Sequence, residues 1–341
     1  MIPIVFAAAL VIAPPSPTAK QLRSATVAGI YDGTTVRLKG GAFKGPPVGA
    51  TRPRVELVAN LTATGELDGM QGDERIALLS KSDGVDDTNL YLAVFALRDK
   101  KVANVATILV GAKVQPKALA ILGRTIELDV IEPGPTDFAC CPTRPARRAY
   151  WLEPGGLKAI TDVPFELIHD RIVFHASVGS LPDLSFLLDT GADRSTLDQE
   201  IAARAGHTTL DAFMITGVQI GIEDVPPFDV DVADLSSTSH ALGREIGGVL
   251  GNDVLRSRIL QIDYPRRRLR ILPDAPPTPP GALARPMKFV DGGHVPMLED
   301  VVTENGKTIP VAINGRLGNP GLALFVVTLN YRDGQFVIVK P

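Results

Sequence analysis

The residues best suited to chemistry in this chain lie in one short stretch, Leu187 to Ala192, which reads Leu-Leu-Asp-Thr-Gly-Ala. Two apolar residues lead directly into Asp189, so a carboxylate stands at the end of a buried strand, where desolvation is costly. Gly191 gives the backbone the freedom that a tight turn requires. Such a carboxylate has a chemical use when it shares a proton with a second one. The alternative is a turn in which Asp189 caps nearby backbone amides.

A second stretch supports the chemical interpretation. Residues Gly248 to Leu255 read Gly-Val-Leu-Gly-Asn-Asp-Val-Leu, and the strand-like Ile262-Asp263-Tyr264 follows. Both stretches, in this order, resemble the retropepsin-like aspartic proteases, specifically the bacterial aspartyl protease family. The resemblance covers residues 160–272 and implies a closed β-barrel lobe.

The resemblance implies an aspartic endopeptidase, in which two carboxylates share a proton, hold a water and direct it at a peptide carbonyl. It assigns catalysis to Asp189. Neighbouring residues would support the turn from both sides: Thr190, Gly191, Ala192, Val249, Leu250 and Gly251. A hairpin-like stretch is a candidate flap over the substrate: Met214, Ile215, Thr216 and Gly217. The chemistry uses no metal and no cofactor, and the pair titrates as a unit that favours acidic pH.

The second carboxylate has no evident source within the chain, because Asp-Thr-Gly occurs only once. The stretch Val311 to Gly315 resembles the opening of a second lobe in the same family, but Ile313 stands where the Asp would be. Asp189 therefore pairs with Asp189 of another chain in a C2 homodimer, or the protein is inactive. In the second case it is a protease-like peptide- or protein-binding module of the cell envelope.

The elements that must position these residues are mostly strands. Short apolar runs alternate with turns in a chain that contains 32 glycines and 28 prolines, which favours a mainly β fold. We expect a retropepsin-like lobe with one short helix, opened by a capping box at Thr196 and Gln199, after an N-terminal antiparallel β domain. The predicted boundaries are a signal peptide at 1–19, the β-rich domain of unknown role at 26–156, the protease lobe at 160–272, a Pro-rich linker at 273–286 and a degenerate or truncated second lobe at 287–341.

The N-terminus predicts export. Met1 to Ala19 is an apolar run followed by prolines, too short for a membrane helix of about 20 residues. The alternative is a buried N-terminal strand. The β-rich domain also resembles a domain of exported bacterial proteins, through Asp32 to Leu38, Glu66 to Asp73 and Gly134 to Leu152. We therefore expect a periplasmic or extracellular protein without a transmembrane span in its mature chain.

Composition and short motifs bear on which partners and ligands the chain can bind. A net charge of −3 argues against binding to nucleic acid or an anionic membrane. The protease resemblance implies a peptide or protein substrate. The adjacent Cys140 and Cys141 leave three alternatives open: a vicinal disulfide, an intermolecular pair, or buried thiols. The acidic stretch from Gly65 to Glu74 fails as a calcium loop, because Met70 stands where an oxygen ligand is required. We expect a solvated turn there.

Overall fold

The mainly β fold that the sequence predicts is confirmed. The chain divides into two compact units, Met1–Ala159 and Ile160–Pro341. Among the described residues, no helix has the length and apolar character needed to cross a membrane. The computed structural model describes residues 15–47, 51–70, 72–83, 88–134, 137, 141–279, 281–289, 296–297 and 319–340.

The first unit opens with one helical turn and continues in strands. Its elements are α1 (Ala19–Leu22), β1 (Thr26–Tyr31), β2 (Thr34–Arg37), β3 (Ala42–Lys44), β4 (Arg54–Gly65), β5 (Glu74–Ser82), β6 (Thr88–Arg98), β7 (Lys101–Ala112), β8 (Gln115–Leu122), β9 (Thr125–Glu132) and β10 (Arg144–Glu153), and β11 (Gly156–Ile168) leads into the second unit.

A five-stranded antiparallel sheet, ordered β3-β4-β5-β6-β7, forms the middle of the first unit. Successive side chains of a strand point to opposite faces. Ile76 and Leu78 therefore join a core with side chains of β8, β9 and β10, whereas Ala77 and Leu79 join a core with β1 and β2. Because both faces are buried, β5 and β6 read as continuous apolar runs.

The predicted signal peptide falls mostly outside the described residues, which begin at Pro15. Its last residues lead into α1. Thr18 caps this helix: its Oγ1 accepts from the Gln21 backbone N–H at 3.2 Å, and the Gln21 side chain accepts from the Thr18 N–H at 2.8 Å. Export therefore stays a prediction.

The second unit contains shorter strands and short helices. Its further elements are β12 (Arg171–Val178), β13 (Leu181–Leu188), β14 (Thr196–Asp198), α2 (Gln199–Arg204), β15 (Phe213–Ile215), β16 (Val218–Ile220), β17 (Glu223–Asp224), β18 (Phe228–Ala233), α3 (Ser236–Leu242), β19 (Gly248–Leu250), α4 (Asn252–Leu255), β20 (Ile259–Asp263), β21 (Arg268–Leu272), β22 (Leu283–Pro286), β23 (Lys288–Phe289), β24 (Pro296–Met297), α5 (Asn319–Leu322), β25 (Val326–Asn330) and β26 (Gln335–Val339).

The sequence predicts one short helix in the lobe, whereas residues 160–272 contain three: α2, α3 and α4. The predicted helix is α2, but its N-cap is Asp198, whose Oδ1 accepts from the Glu200 backbone N–H at 2.9 Å. Thr196, the predicted cap, pairs in β14. Most strands of this unit belong to a closed barrel of hydrogen-bonded strands, as the resemblance implies.

The C-terminal strands belong to the same core as the predicted protease lobe. β25 pairs antiparallel with β20, β26 pairs with β25, and β22 pairs with β26. Val327 and Phe336 are buried in the core that also holds Phe174 and Leu250. The last four residues of the predicted linker therefore form a strand. Ile313 lies outside the described residues.

Candidate active site

Asp189 stands at the end of β13 in a hydrogen-bonded turn. Its backbone N–H donates to the Leu250 carbonyl at 3.0 Å, and the Ala192 N–H donates to the Asp189 carbonyl at 3.2 Å. The half-buried Asp189 carboxylate accepts from the Gly191 N–H through Oδ1 at 2.8 Å. One carboxylate oxygen is thus held by the turn itself, which fixes the direction of the group.

Strand β19 lies between the two strands that this turn connects. It pairs parallel with β13, where Leu188 faces Leu250, and antiparallel with β14, where Thr196 faces Val249. Leu250 is buried and Val249 is partly buried. The turn that carries Asp189 is therefore fastened to the same strand on both sides, so the sequence-predicted supporting residues of the two stretches do come together.

Gly251 permits the close approach of the chain behind the turn. A Cβ at this position would lie 2.7 Å from the carbonyl carbon and oxygen of Arg194 and 3.0 Å from the backbone nitrogen of Ser195. These are all backbone atoms, so no flexible side-chain end is available to give way. The Gly251 N–H donates to the Ser195 hydroxyl at 2.9 Å. A side chain here would push the two stretches apart.

Asn252 holds the turn from behind and was not singled out by the sequence. This residue is fully buried, and its side-chain amide donates to the carbonyls of Thr190 and Ala192, both at 2.8 Å. Its backbone N–H also donates to the Ala192 carbonyl, at 2.9 Å. The sequence signal that could have identified Asn252 is its position as a polar residue directly after the apolar run and Gly251.

Asp253 gives the turn a second support that the sequence did not indicate. Its Oδ2 accepts from the Ser195 N–H at 2.8 Å, and its Oδ1 accepts from the Ser195 hydroxyl at 2.6 Å. Ser195 is buried, so both bonds are shielded from water. Further out, the Asp231 carboxylate pairs with Arg194 at 2.8 Å and raises the pKa of that guanidinium. Both of these side chains are largely exposed, so the pair adds little stability.

The predicted flap residues do not form the hairpin that the sequence suggested. β15 pairs with β18, whereas β16 pairs with β12 and β17. The Met214 side chain is exposed, but Ile215 is buried in the core, and Thr216 is exposed. Gly217 accepts from the Gly179 N–H through its carbonyl at 2.9 Å. A role of this stretch over the substrate stays a prediction.

The acidic stretch of the first unit is a turn in which three carboxylates gather. Oxygens of Glu66, Asp68 and Glu74 lie within 4.8 Å of one another. Each carboxylate has a protein partner: the Glu66 group accepts from Gly69, the Asp68 group pairs with Arg98, and the Glu74 group accepts from the Leu67 N–H. Burial raises the pKa of Glu74. These contacts account for the cluster as a structural turn.

Cys141 is disulfide-bonded, which excludes the buried-thiol alternative for this residue. Cys140, the only other cysteine of the sequence, lies outside the described residues.

Comparison of the chain with protein-family models and with curated proteins found no match.

Proposed function

We propose that the second unit is the lobe of an aspartic endopeptidase and that Asp189 is its catalytic carboxylate. The observation that supports this most is the construction of the turn. Backbone bonds to Leu250, a glycine contact at Gly251 and the buried amide of Asn252 all fix the backbone that carries Asp189. Fixing a group before the reaction is what general acid–base catalysis requires.

The proposed reaction is hydrolysis of a peptide bond by an activated water. Two carboxylates that share one proton hold the water: one takes its proton while the other donates to the substrate carbonyl oxygen. The turn supplies one carboxylate per chain. We propose that the second is Asp189 of another copy, placed across a two-fold axis. The substrate is a peptide or protein met outside the cytoplasm, because residues 1–19 predict export.

The test is cleavage of a peptide library at acidic pH by the purified chain, compared with Asp189→Asn. The Asn side chain keeps an oxygen that can accept from the Gly191 N–H, so the turn is retained while the acid–base group is lost. Asp229→Asn, an exposed carboxylate on β18, is the matched control and should leave cleavage unchanged. Loss of at least about 100-fold in kcat is expected for Asp189→Asn alone.

A second candidate is a non-catalytic peptide- or protein-binding module of the cell envelope. One observation favours it: the edge of β20 in this lobe is already paired with β25 of the same chain. Sedimentation separates the two candidates when combined with the library assay. A monomer that retains library peptides but cleaves none in an Asp189-dependent manner would support the binding module and exclude the peptidase.

A further inference from the structure

The C-terminal elements repeat the elements that close the Asp189 lobe. Adding 67 to the residue numbers of α4, β20 and β21 gives the bounds of α5, β25 and β26 at every element end. Over residues 251–272 and 318–339, the sequences agree at five paired positions. They are Gly251 and Gly318, Asn252 and Asn319, Leu255 and Leu322, Tyr264 and Tyr331, and Ile271 and Ile338.

Hydrogen bonds between the two hairpins obey a local two-fold relation. β20 and β25 pair antiparallel with Gln261 opposite Thr328, which are themselves equivalent residues. The Tyr264 N–H donates to the Phe325 carbonyl at 3.3 Å, and Tyr331 donates to the Arg258 carbonyl at 3.1 Å. Each of these bonds is the symmetry equivalent of the other, so a pseudo-two-fold axis passes between Gln261 and Thr328.

The outer strands follow the same relation. β11 pairs with β21 on one side, and β22 pairs with β26 on the other. The Phe165 N–H donates to the Arg267 carbonyl at 3.0 Å, while the Met287 N–H donates to the Gly334 carbonyl at 2.8 Å. The six strands thus form a sheet, ordered β11-β21-β20-β25-β26-β22, that is symmetric about its centre.

The two halves differ in length. Pro164 and Arg268, which pair in the first half, are 104 positions apart, whereas the equivalent Pro286 and Gln335 are 49 apart. The first half uses its longer stretch for β13, the Asp189 turn and β19. Between these pairs the second half is therefore 55 positions shorter than the first.

We infer that β22, α5, β25 and β26 belong to a shortened internal copy of the Asp189 lobe, which takes the place of a partner chain along β20. A homodimer built on the same symmetry would set β20 against β20 of a second copy, with Gln261 opposite Gln261. β25 occupies that position, and its Val327 and Leu329 are buried. The sheet therefore closes within one chain.

The occupied edge of β20 also constrains catalysis, a point that rests on the proposed function. A second copy that brings its own Asp189 must approach through a surface other than the edge of β20. The internal copy itself does not depend on activity, because it is defined by pairing and sequence. The two ideas can therefore fail separately.

Cysteine cross-linking tests the occupant of the edge in the full chain. Directly opposed residues of antiparallel strands have Cα separations that a disulfide can span. We expect Gln261→Cys with Thr328→Cys to form a disulfide within one chain, seen as loss of two alkylatable thiols without a dimer on a non-reducing gel. Gln261→Cys alone should stay a monomer under the same oxidation, with the parent chain as control for its native cysteines.

A covalent dimer formed by Gln261→Cys alone would overturn the inference, because it would place β20 against β20 of a second copy. Leu260→Cys with Leu329→Cys, the adjacent pair on the other face, repeats the test if Gln261 is needed for folding. Failure of both pairs to cross-link within a chain would also overturn it. Absence of Asp189-dependent cleavage by the parent chain would count against the proposed function alone.

Discussion

The hairpin β20–β21 and its copy β25–β26 have the same backbone but different interiors. In the turn of the first, Asp263 accepts from the Arg266 N–H at 3.1 Å. In the turn of the second, Asn330 accepts from the Asp333 N–H, also at 3.1 Å. In the accompanying side-chain contact, donor and acceptor exchange places. Asp263 accepts from the Arg266 guanidinium, whereas the Asn330 amide donates to the Asp333 carboxylate.

The difference is larger along the strands. Arg270 of the first hairpin is buried beside the carboxylates of Asp162 and Asp263, at 3.3 and 3.5 Å. The positions equivalent to Arg270 and Asp162 hold Val337 and Ala284. One half of the sheet is thus held by buried ions and the other by apolar side chains. The comparison shows that register and turn bonds suffice to set this backbone, and that the buried charges are one of two workable interiors.

Removing one buried charged side chain should have the largest effect on stability. Asp162→Ala leaves Arg268 and Arg270 without a shared buried acceptor, and we expect the free energy of unfolding to fall by about 3–5 kcal/mol. Asp162→Ala with Arg270→Val gives the first half the residues of the second and should recover most of that loss. Urea denaturation of the single and double variants measures both. A double variant no more stable than Asp162→Ala would contradict the equivalence of the two interiors.

Placing a charge in the apolar half should cost somewhat less. Asn330→Asp sets a buried carboxylate beside the exposed carboxylate of Asp333, and we expect a loss of about 3 kcal/mol at neutral pH. Like charge raises the folded-state pKa of the pair above its unfolded value. The deficit should therefore shrink as pH falls and grow as pH rises through the folded-state pKa. Urea denaturation at pH 4.5 and pH 7 measures the difference.

A compensating change provides the control for that variant. Asn330→Asp with Asp333→Arg recreates the arrangement of Asp263 and Arg266 in the second hairpin. It should restore stability at pH 7 to within about 1 kcal/mol of the parent, since the new carboxylate regains a cation. Persistence of the full deficit would show that the second hairpin does not accept the interior of the first.

The turn residues should give the smallest effect. Arg267 and Gly334 are equivalent and both have left-handed backbone, with φ of 56° and 62°. Gly334→Ala should lower stability by about 1 kcal/mol, because a Cβ is disfavoured in that region. Arg267→Gly should change it by less than about 1 kcal/mol, because relief of strain is offset by the greater entropy of glycine in the unfolded chain. Hydrogen exchange of the β21 and β26 amides would report each turn separately.

Local sequence patterns predicted much of the fold. Short apolar runs between turn residues indicated a mainly β fold, which is confirmed. The same reasoning failed where distant residues decide the outcome. Leu283 to Pro286 follows a proline-rich stretch and reads as linker, yet it pairs with β26, which lies more than 40 residues further along the chain.

The candidate site was predictable only where local sequence motifs mark its residues. Asp189 and Gly251 were found because their neighbours form short sequence motifs. Asn252 was missed because its role depends on the carbonyls of Thr190 and Ala192, which only the folded chain brings to its side-chain amide. The sequence indicated a degenerate second lobe at 287–341, but its pairing with β20 was missed, because symmetry acts on backbone pairing and leaves few identical residues.

The pairing of β20 with β25 also bears on how the protein is made. β20 ends at Asp263 and β25 begins at Val326, so synthesis of one strand is finished well before the other emerges. During that interval the edge of β20 has no partner from its own chain, and open strand edges recruit other chains. Because Gln261 lies at a centre of symmetry, β20 can pair with a second β20. A chain that terminates before Val326 therefore exposes a strand suited to joining nascent copies together.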